Sequence, residues 1–470
     1  MKPFALKHLA TFGLAALLLA GCGAGERIQN LNPFGGEEGD DPNAPAQSER
    51  ISVLQLEEQL SADSSGPLVL PRSYVNTAWP QPDGYPTHAM QHTGASGDLG
   101  RLWRADAGAG SNNNRRINAR PVIAGGVVYA IDAEGRVSGH DLENGDQRWS
   151  VRLRGAEREG GGGGLVPFVP FVGSRGDQVL TFGGGLAWDA GRLYAHSGGH
   201  FIVALDASSG EELWRQTALT PFHAAPTVAD GRVYVTTDDN ELLALDAGTG
   251  EVLWTHRSIS ETARLITAPS VAVLGETVIT PFTSGEIVAL QATNGTVLWS
   301  DSLTRTGGLT PLSSINDIAA SPVILGESVY AMSHSGIMAA FDLRSGERRW
   351  TLPASGLHAP YIAGDYLFIV TTNAEVVAID RGAGEVRWIT SLPSFRNERR
   401  RRDRISWAGP VLAGGRLVVA SSEGELVLLD PSTGDRIGER DLDDPVFIAP
   451  VIANETLVVL TDDGRLIALR

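Results

Sequence analysis

The chain of 470 residues contains a single cysteine, Cys22, so no disulfide can form within it. Its stability must therefore come from packing rather than from covalent cross-links. Helical hydrophobic periodicity is also scarce. Short Val, Ile, Leu and Tyr runs recur between turn signals instead, and glycine is abundant at 56 residues. This combination is typical of an all-β protein built from many short strands.

The chain is also poor in basic residues, with 38 Lys and Arg against 55 Asp and Glu and a formal net charge of −17. Two of the basic residues, Lys2 and Lys7, lie in a segment that we expect to be removed, which makes the mature chain more acidic still. A protein this acidic repels phosphates, so nucleic acid is excluded as a partner.

Residues 1–21 have the pattern of an export signal peptide. A basic start precedes an apolar run over residues 9–20, which is too short to span a bilayer. The run ends in Leu-Ala-Gly before Cys22, a sequence that resembles the lipobox of bacterial lipoproteins. The resemblance implies that Cys22 becomes the first residue and carries acyl chains such as palmitate, and that Gly23 directs it to the outer membrane. The alternative is an ordinary cleaved signal with a stray cysteine.

From residue 99 onward the chain repeats a unit. Each copy reads Pro-Val, a turn, Val-Tyr-Ala, a second turn, and then Gly-x-Leu-x-Ala-Leu-Asp-x-x-x-Gly-x-x-x-Trp. The period of 38 to 65 residues is enough for four strands. We therefore predict that residues 99–470 form an eight-bladed β-propeller of four-stranded antiparallel blades.

The recurring positions have physical reasons. The Asp begins a tight turn in which its carboxylate accepts backbone N–H bonds, and the Gly takes the positive φ that such turns need. The Trp is expected to fill the wide gap between the outer strands of adjacent blades, where it buries a large apolar surface. The tryptophans are Trp149, Trp214, Trp254, Trp299, Trp350 and Trp388, and a further one, Trp103, lies near the start of the repeats.

The eighth unit stops at Arg470, one strand short of a complete blade. Residues 100–103 match the missing strand, so we predict that residues 99–106 complete the last blade and close the ring. Seven of the eight units open with proline, which strands tolerate only at their starts and edges, and this places the opening strands innermost. The seventh unit has Gly438 where its tryptophan should be.

Two segments precede the repeats. Residues 22–65 are polar and rich in Gly, Glu, Asp, Asn and Ser, as expected of a flexible tether between the lipidated cysteine and the folded domain. Residues 66–98 are Pro-rich, and we expect them to lie on the propeller without regular structure.

The repeat resembles that of the quinoprotein, or PQQ-type, propellers. Enzymes with this repeat oxidise alcohols or sugars with a quinone cofactor and a calcium ion, and many carry adjacent cysteines beside the cofactor. This chain has neither a cysteine pair nor an acidic calcium constellation. The ten histidines show no metal-ligand spacing, and no Ser/His/Asp arrangement stands out. We therefore predict no catalytic residue, no cofactor and no metal.

Two connections between repeat units stand out as surface features. The loop 155–182 contains the apolar residues Phe168 and Phe171, which indicate either a partner site or a loop folded back onto the ring. An arginine cluster follows the sixth unit and is suited to an acidic partner or anionic lipid headgroups, or else forms a solvated loop. The cluster comprises Arg396, Arg399, Arg400, Arg401, Arg402 and Arg404.

A lipobox followed by an eight-unit propeller of this repeat resembles the BamB family, lipoproteins of the machine that inserts β-barrels into the outer membrane. In that family, a Leu-Arg loop before one Ala-Pro strand start and acidic residues before the next contact the barrel subunit. Here Arg264 matches the family arginine, while Ala263 replaces the leucine. Asp317 matches the first acidic position, while Ala319 replaces the second. A plain surface ion pair is the alternative for Arg264 and Asp317.

The resemblance implies a non-enzymatic scaffold lipoprotein on the periplasmic face of the outer membrane of a Gram-negative bacterium. It would dock on the periplasmic POTRA domains of the barrel subunit of the Bam complex and assist the insertion of unfolded outer-membrane proteins. Exposed strand edges could hold such extended chains by strand addition. Two alternatives remain open: a quinone (PQQ)-dependent dehydrogenase, and an envelope binding module for another partner, such as a polysaccharide or a second lipoprotein.

Overall fold

The computed structural model describes residues 60–62, 66–154, 184–261, 265, 267, 269–304 and 315–470. Regular structure within these ranges is almost entirely β-strand. Among the same residues, no helix has the length and apolar character that a membrane crossing requires. The expected signal peptide 1–21, the lipidated Cys22 and nearly all of the tether 22–65 lie outside the described residues.

Eight four-stranded antiparallel sheets confirm the predicted eight-bladed propeller. Blades 1 to 4 consist of β2 (Val122–Ala124), β3 (Val127–Ile131), β4 (Arg136–Asp141) and β5 (Gln147–Arg152); β6 (Gly185–Asp189), β7 (Arg192–His196), β8 (Phe201–Asp206) and β9 (Glu212–Thr217); β10 (Thr227–Ala229), β11 (Arg232–Thr236), β12 (Glu241–Asp246) and β13 (Val252–Arg257); and β14 (Ala272–Leu274), β15 (Thr277–Pro281), β16 (Glu286–Gln291) and β17 (Val297–Ser302).

Blades 5 to 8 continue the series, and a small hairpin stands between blades 6 and 7. They consist of β18 (Val323–Leu325), β19 (Ser328–Met332), β20 (Met338–Asp342) and β21 (Arg348–Leu352); β22 (Tyr361–Ala363), β23 (Tyr366–Val370), β24 (Glu375–Asp380) and β25 (Val386–Ser391); the hairpin β26 (Phe395–Asn397) and β27 (Arg402–Arg404); β28 (Trp407–Ala413), β29 (Arg416–Ser421), β30 (Glu425–Leu429) and β31 (Arg436–Asp441); and β32 (Val451–Ala453), β33 (Thr456–Leu460) and β34 (Arg465–Leu469), completed by β1 (Arg101–Asp106).

The first strand of each blade lies innermost, since the first strands of neighbouring blades contact one another around a central channel. Proline directly precedes five of these strands, where its missing N–H and fixed φ are tolerated. The five are Pro121, Pro226, Pro322, Pro360 and Pro450. The opening prolines therefore marked the strands that line the channel.

The N-terminal strand closes the ring, as predicted. β1 pairs antiparallel with β34, so that Arg104 lies opposite Ile467. The buried carboxylate of Asp444 accepts from Arg104 and, at 2.8 Å, from Arg465. This strand is therefore held in the last blade by a backbone ladder and by a charged anchor, and it covers the edge of β34 as the outer strand of that sheet.

The tryptophans of the outer strands lie at the joints between blades. Each indole Nε1–H donates to a backbone carbonyl of the following blade at 2.8–3.1 Å. Each ring also covers the turn glycine of that blade so closely that a Cβ there would meet it at 2.5–2.8 Å. The pairs are Trp103 with Gly145, Trp149 with Gly210, Trp214 with Gly250, Trp254 with Gly295, Trp299 with Gly346, Trp350 with Gly384 and Trp388 with Gly434.

The joint between blades 7 and 8 has no tryptophan, because Gly438 occupies that position in β31. In the other blades a continuous turn links the third and fourth strands. In blade 8 these strands are the two ends of the propeller, and the Arg470 N–H donates to the Gly100 carbonyl at 2.9 Å. No turn glycine exists there for an indole to cover. This joint therefore lacks both the tryptophan and the turn glycine on which it packs elsewhere.

Residues 74–93, which we call the inner strip, follow the inner strands all the way around the ring. The strip is anchored by hydrogen bonds rather than by sheet formation, and its Trp79 and Met90 are fully buried. It bonds to blade 8 at Asn76, blade 1 at Trp79, blade 2 at Pro80, blade 3 at Gln81, blade 4 at Pro86, blade 5 at Thr87, blade 6 at Gln91 and blade 7 at Thr93.

Buried neutral histidines are a second feature of the packing. His196, at the end of β7, has no exposed surface; its Nε2 donates to the Ala224 carbonyl at 2.7 Å and its Nδ1 accepts from the Gly198 N–H at 3.2 Å. Burial lowers the pKa of His196 to about 4, because the charged ring would lose its hydration. The folded protein therefore holds this ring unprotonated well below the pH at which an exposed histidine is charged.

We predict that Trp103→Ala opens the ring at its closure. Truncation of a buried tryptophan costs about 3 to 5 kcal/mol of unfolding free energy, since it leaves a cavity and an unpaired carbonyl. The matched control is Leu102→Ala, whose side chain is exposed on the same strand. Urea unfolding should separate the two variants clearly. Equal stability of both, or unchanged thermal melting after deletion of residues 99–106, would contradict closure by β1.

We also predict a pH dependence that His196 carries in part. Between pH 6.5 and about 4 the unfolded chain binds a proton at this ring and the folded protein does not, so the unfolding free energy falls as the pH falls. One such group contributes a slope of up to about 1.4 kcal/mol per pH unit. Urea titrations at pH 7 and pH 5 should show a smaller loss for His196→Gln than for the exposed-site control His200→Gln. Equal losses would refute the assignment.

Candidate interaction face

All connections that enter the inner strands emerge on one face of the ring, because successive strands of a blade alternate in direction. Five connections between blades have fourteen residues or more, and the strands that flank them end on this loop face. They span residues 107–121, 153–184, 258–271, 303–322 and 392–406. The opposite turn face carries the short turns after the inner strands and the Asp turns. The long loops are thus gathered on one side.

Asp317 organises the loop face between blades 4 and 5. Its carboxylate Oδ2 accepts the Leu265 N–H at 2.9 Å, which ties the connection 258–271 to the next one. Its carbonyl accepts the His334 N–H at 2.9 Å, and Asp317 itself is only 1% exposed. The next residue, Ile318, is also buried. A charged acceptor in this position fixes the backbone course of the neighbouring loop.

The predicted partner contact of Asp317 stays a prediction. Its carboxylate is buried and bonded to a neighbouring loop, an arrangement suited to positioning the connection 258–271. Arg264, the other predicted contact, lies outside the described residues, so its relation to Asp317 stays a prediction.

The loop face also presents apolar side chains that the sequence analysis did not identify. Leu219 is 93% exposed and Ile259 is 65% exposed, and Leu357 and Phe447 are partly exposed in two further connections. Leu357 and Phe447 each lie three residues before the proline that opens a blade. That spacing is the sequence pattern from which these two exposed residues could have been predicted. These four side chains place exposed apolar area in four separate connections of one face.

Carboxylates of the second turn in a blade hold these apolar connections in place. The Thr220 hydroxyl donates to Asp239 at 2.6 Å, next to the exposed Leu219. This bond and a second one from Thr237 lower the pKa of Asp239. The Ser258 hydroxyl donates in the same way to Glu286, next to Ile259. The apolar side chains therefore project from fixed backbone.

The arginine cluster forms an exposed hairpin on the loop face. β26 and β27 are joined by a 3₁₀ turn, Glu398–Arg400, and the Arg401 guanidinium lies over the Phe395 ring, 5.5 Å from its centroid. Arg396 pairs with Glu423, and Arg404 donates to the Thr372 carbonyl. Within the described chain no acidic group pairs with Arg399, Arg400 or Arg402. The hairpin therefore concentrates uncompensated positive charge in an acidic protein.

The remaining predicted features give no further site. In the described part of the chain, no group of three or more His, Cys, Asp and Glu side chains is placed to hold a metal ion. Phe168 and Phe171 fall outside the described residues, so the function of that loop stays a prediction. The chemistry offered by the loop face is contact through apolar tips and arginines.

The family model described as "Outer membrane protein assembly factor BamB" matches residues 91–182, 169–390 and 396–470. An outer membrane protein assembly factor BamB of Salmonella typhimurium is 31% identical over 361 residues, which cover 75% of this chain and 84% of the relative. The BamB of Escherichia coli K12 is 30% identical over 374 residues, which cover 78% of this chain and 88% of the relative.

Solved structures show the same architecture. BamB from Moraxella catarrhalis superposes with a TM-score of 0.64 at 18% identity, covering 79% of this chain and 99% of that one. Quinohemoprotein alcohol dehydrogenase from Comamonas testosteroni superposes with a TM-score of 0.61 at 14% identity, covering 84% of this chain and 80% of that one. At these identities the likeness is one of fold alone.

We predict that Asp317→Ala loosens the connection 258–271 while leaving the blades intact. A hydrogen bond to a carboxylate is worth about 1.5 to 3 kcal/mol, so exchange of the Leu265 amide should accelerate roughly ten- to hundred-fold. Glu276→Ala is the matched control, because this exposed acid lies in the same blade on the turn face. Hydrogen exchange with peptide resolution measures both. Equal exchange at Leu265 in the two variants would show that Asp317 does not hold the loop.

Proposed function

Because the chain belongs to the BamB family of outer membrane protein assembly factors, we propose that it is a non-enzymatic scaffold of the machinery that assembles β-barrel proteins in the outer membrane. The observation that carries the proposal is the extent of the match, which runs through all eight blades and most of each relative's length. A shared repeat alone would support only a shared fold.

The docking surface in this proposal is the loop face, and its target is the periplasmic POTRA domains of the barrel subunit. Two features support the choice. The long connections end on this face beside exposed apolar side chains such as Leu219 and Ile259, and the buried carboxylate of Asp317 bonds to the connection 258–271. A rigid surface loses little conformational entropy on binding, so modest contacts suffice for affinity. Arg264 and Ile259 belong to the same connection and are the central contacts.

The lipid anchor is the second part of the proposal. Acylated Cys22 ties the protein to the outer membrane on its periplasmic face, and the polar residues up to 65 give the propeller reach. Several acyl chains give a lasting anchor where one gives only marginal binding. The anchored propeller stays near the barrel subunit without needing high affinity for it.

Unfolded outer-membrane proteins are the third proposed partner, held by strand addition at the outer edge of the blades. The outer strands β9, β13 and β17 leave one backbone edge unpaired and present partly exposed apolar side chains beside their tryptophans. These side chains are Leu213, Leu253 and Leu298. An extended chain with alternating apolar residues could add to such an edge.

Site-specific photo-crosslinking tests the docking. A photoreactive residue at Ile259 or Arg264 should capture the barrel subunit in native membranes. The same probe at Glu276, on the turn face of the same blade, should not. Capture of the barrel subunit equally from both faces, or of no assembly component from the loop face, would overturn the proposed docking surface. Asp317 is unsuitable for the probe because it is buried.

A further inference from the structure

A buried carboxylate lies on the axis of the ring. Asp83, at the tip of a turn in the inner strip, is only 7% exposed. Its Oδ1 accepts from the Arg120 guanidinium, which comes from blade 1, and its Oδ2 lies 3.5 Å from the Ser270 hydroxyl of blade 4. The Ser321 hydroxyl of blade 5 lies 3.3 Å from that of Ser270 and helps to lower the pKa of Asp83. A side chain within reach of blades on opposite sides of the ring must be central.

Two histidines complete the surroundings of this carboxylate. His358, which precedes blade 6, places its Nδ1 3.5 Å from the Arg120 Nη2. His88 of the inner strip donates from Nδ1 to the Pro322 carbonyl at 2.6 Å and lies with Nε2 3.2 Å from the Ser270 hydroxyl. The groups that face Asp83 thus come mainly from the starts of four inner strands, whose positions the blades fix.

The charge balance of the site fits one negative charge. Burial raises the pKa of Asp83, but the Arg120 guanidinium opposes this effect and the net shift is downward, so the carboxyl is ionised. Burial lowers the pKa of His358 to about 3, and that of His88 is lowered as well, so both rings are neutral. One guanidinium therefore faces one carboxylate. A phosphate dianion would bring a second charge that nothing in the described surroundings balances.

We propose that the channel of this propeller is a carboxylate-binding site and that the inner strip is its intramolecular ligand. Arg120 supplies the charge, the Ser270 and Ser321 hydroxyls supply the directional bonds, and the strip delivers Asp83 to them. The site is built by the blades, so it persists when the carboxylate is removed. It then accepts a free carboxylate of similar size. This inference is independent of docking on the loop face.

Chemical rescue tests the site. Asp83→Ala leaves the Arg120 guanidinium without a carboxylate and should lower the melting temperature by several degrees. Sodium formate should restore much of that loss, while sodium chloride and sodium phosphate at equal ionic strength should not. The unchanged protein should gain nothing from formate beyond the chloride effect, because its own carboxylate occupies the site. Rescue by chloride or phosphate to the same extent would overturn the assignment to carboxylates.

Two further variants locate the effect. In the double variant Asp83→Ala with Arg120→Gln, formate should give no rescue, because the cation is gone; rescue there would show that formate acts elsewhere. Asp98→Ala removes an exposed acid outside the strip and should neither lose stability nor respond to formate. If Asp83→Ala does not fold in chloride, the yield of refolding from urea in formate becomes the measurement. No gain in either measurement refutes the proposal.

Discussion

Each tryptophan of an outer strand serves two blades at once, and the ring depends on that arrangement. The indole packs on a turn glycine and donates to a carbonyl of the next blade, so a blade is complete only when its neighbour is present. The glycine is required twice, since its φ is positive and a Cβ would collide with the ring, as at Gly210. Seven joints repeat this contact, and the eighth lacks both of its members.

Most of the fold could be predicted from the sequence because the repeat encodes it locally. The Asp defines a turn, the Gly allows the close approach of an indole ring, and the Trp joins two adjacent blades. Each requires a particular residue type at a fixed spacing. The missing fourth strand of the last unit likewise predicted the closure by β1. The course of the inner strip could not be predicted. A different residue of the strip bonds to each of the eight blades, and contacts over such distances leave no periodic pattern in the chain.

The interaction face could be predicted only in part, for a related physical reason. Arg264 and Asp317 were identified by position, but burial of Asp317 depends on how two connections pack together, which no local pattern reveals. The exposed Leu219 and Ile259 were not predicted, because the residue type of an apolar loop residue does not reveal whether it is buried or exposed. The arginine hairpin was recognised from composition alone, because charge density needs no knowledge of packing.

The closure and the inner strip together impose an order on folding. β1 pairs with β34, which lies more than three hundred residues later in the chain, and the strip needs all eight inner strands before its set of bonds is complete. Neither set of contacts is complete until the last repeat is available, however early the N-terminal residues are made. Contacts of such high sequence separation form slowly. Residues 74–106 thus come early in the chain, yet their contacts with the propeller are completed only when its final strand is present.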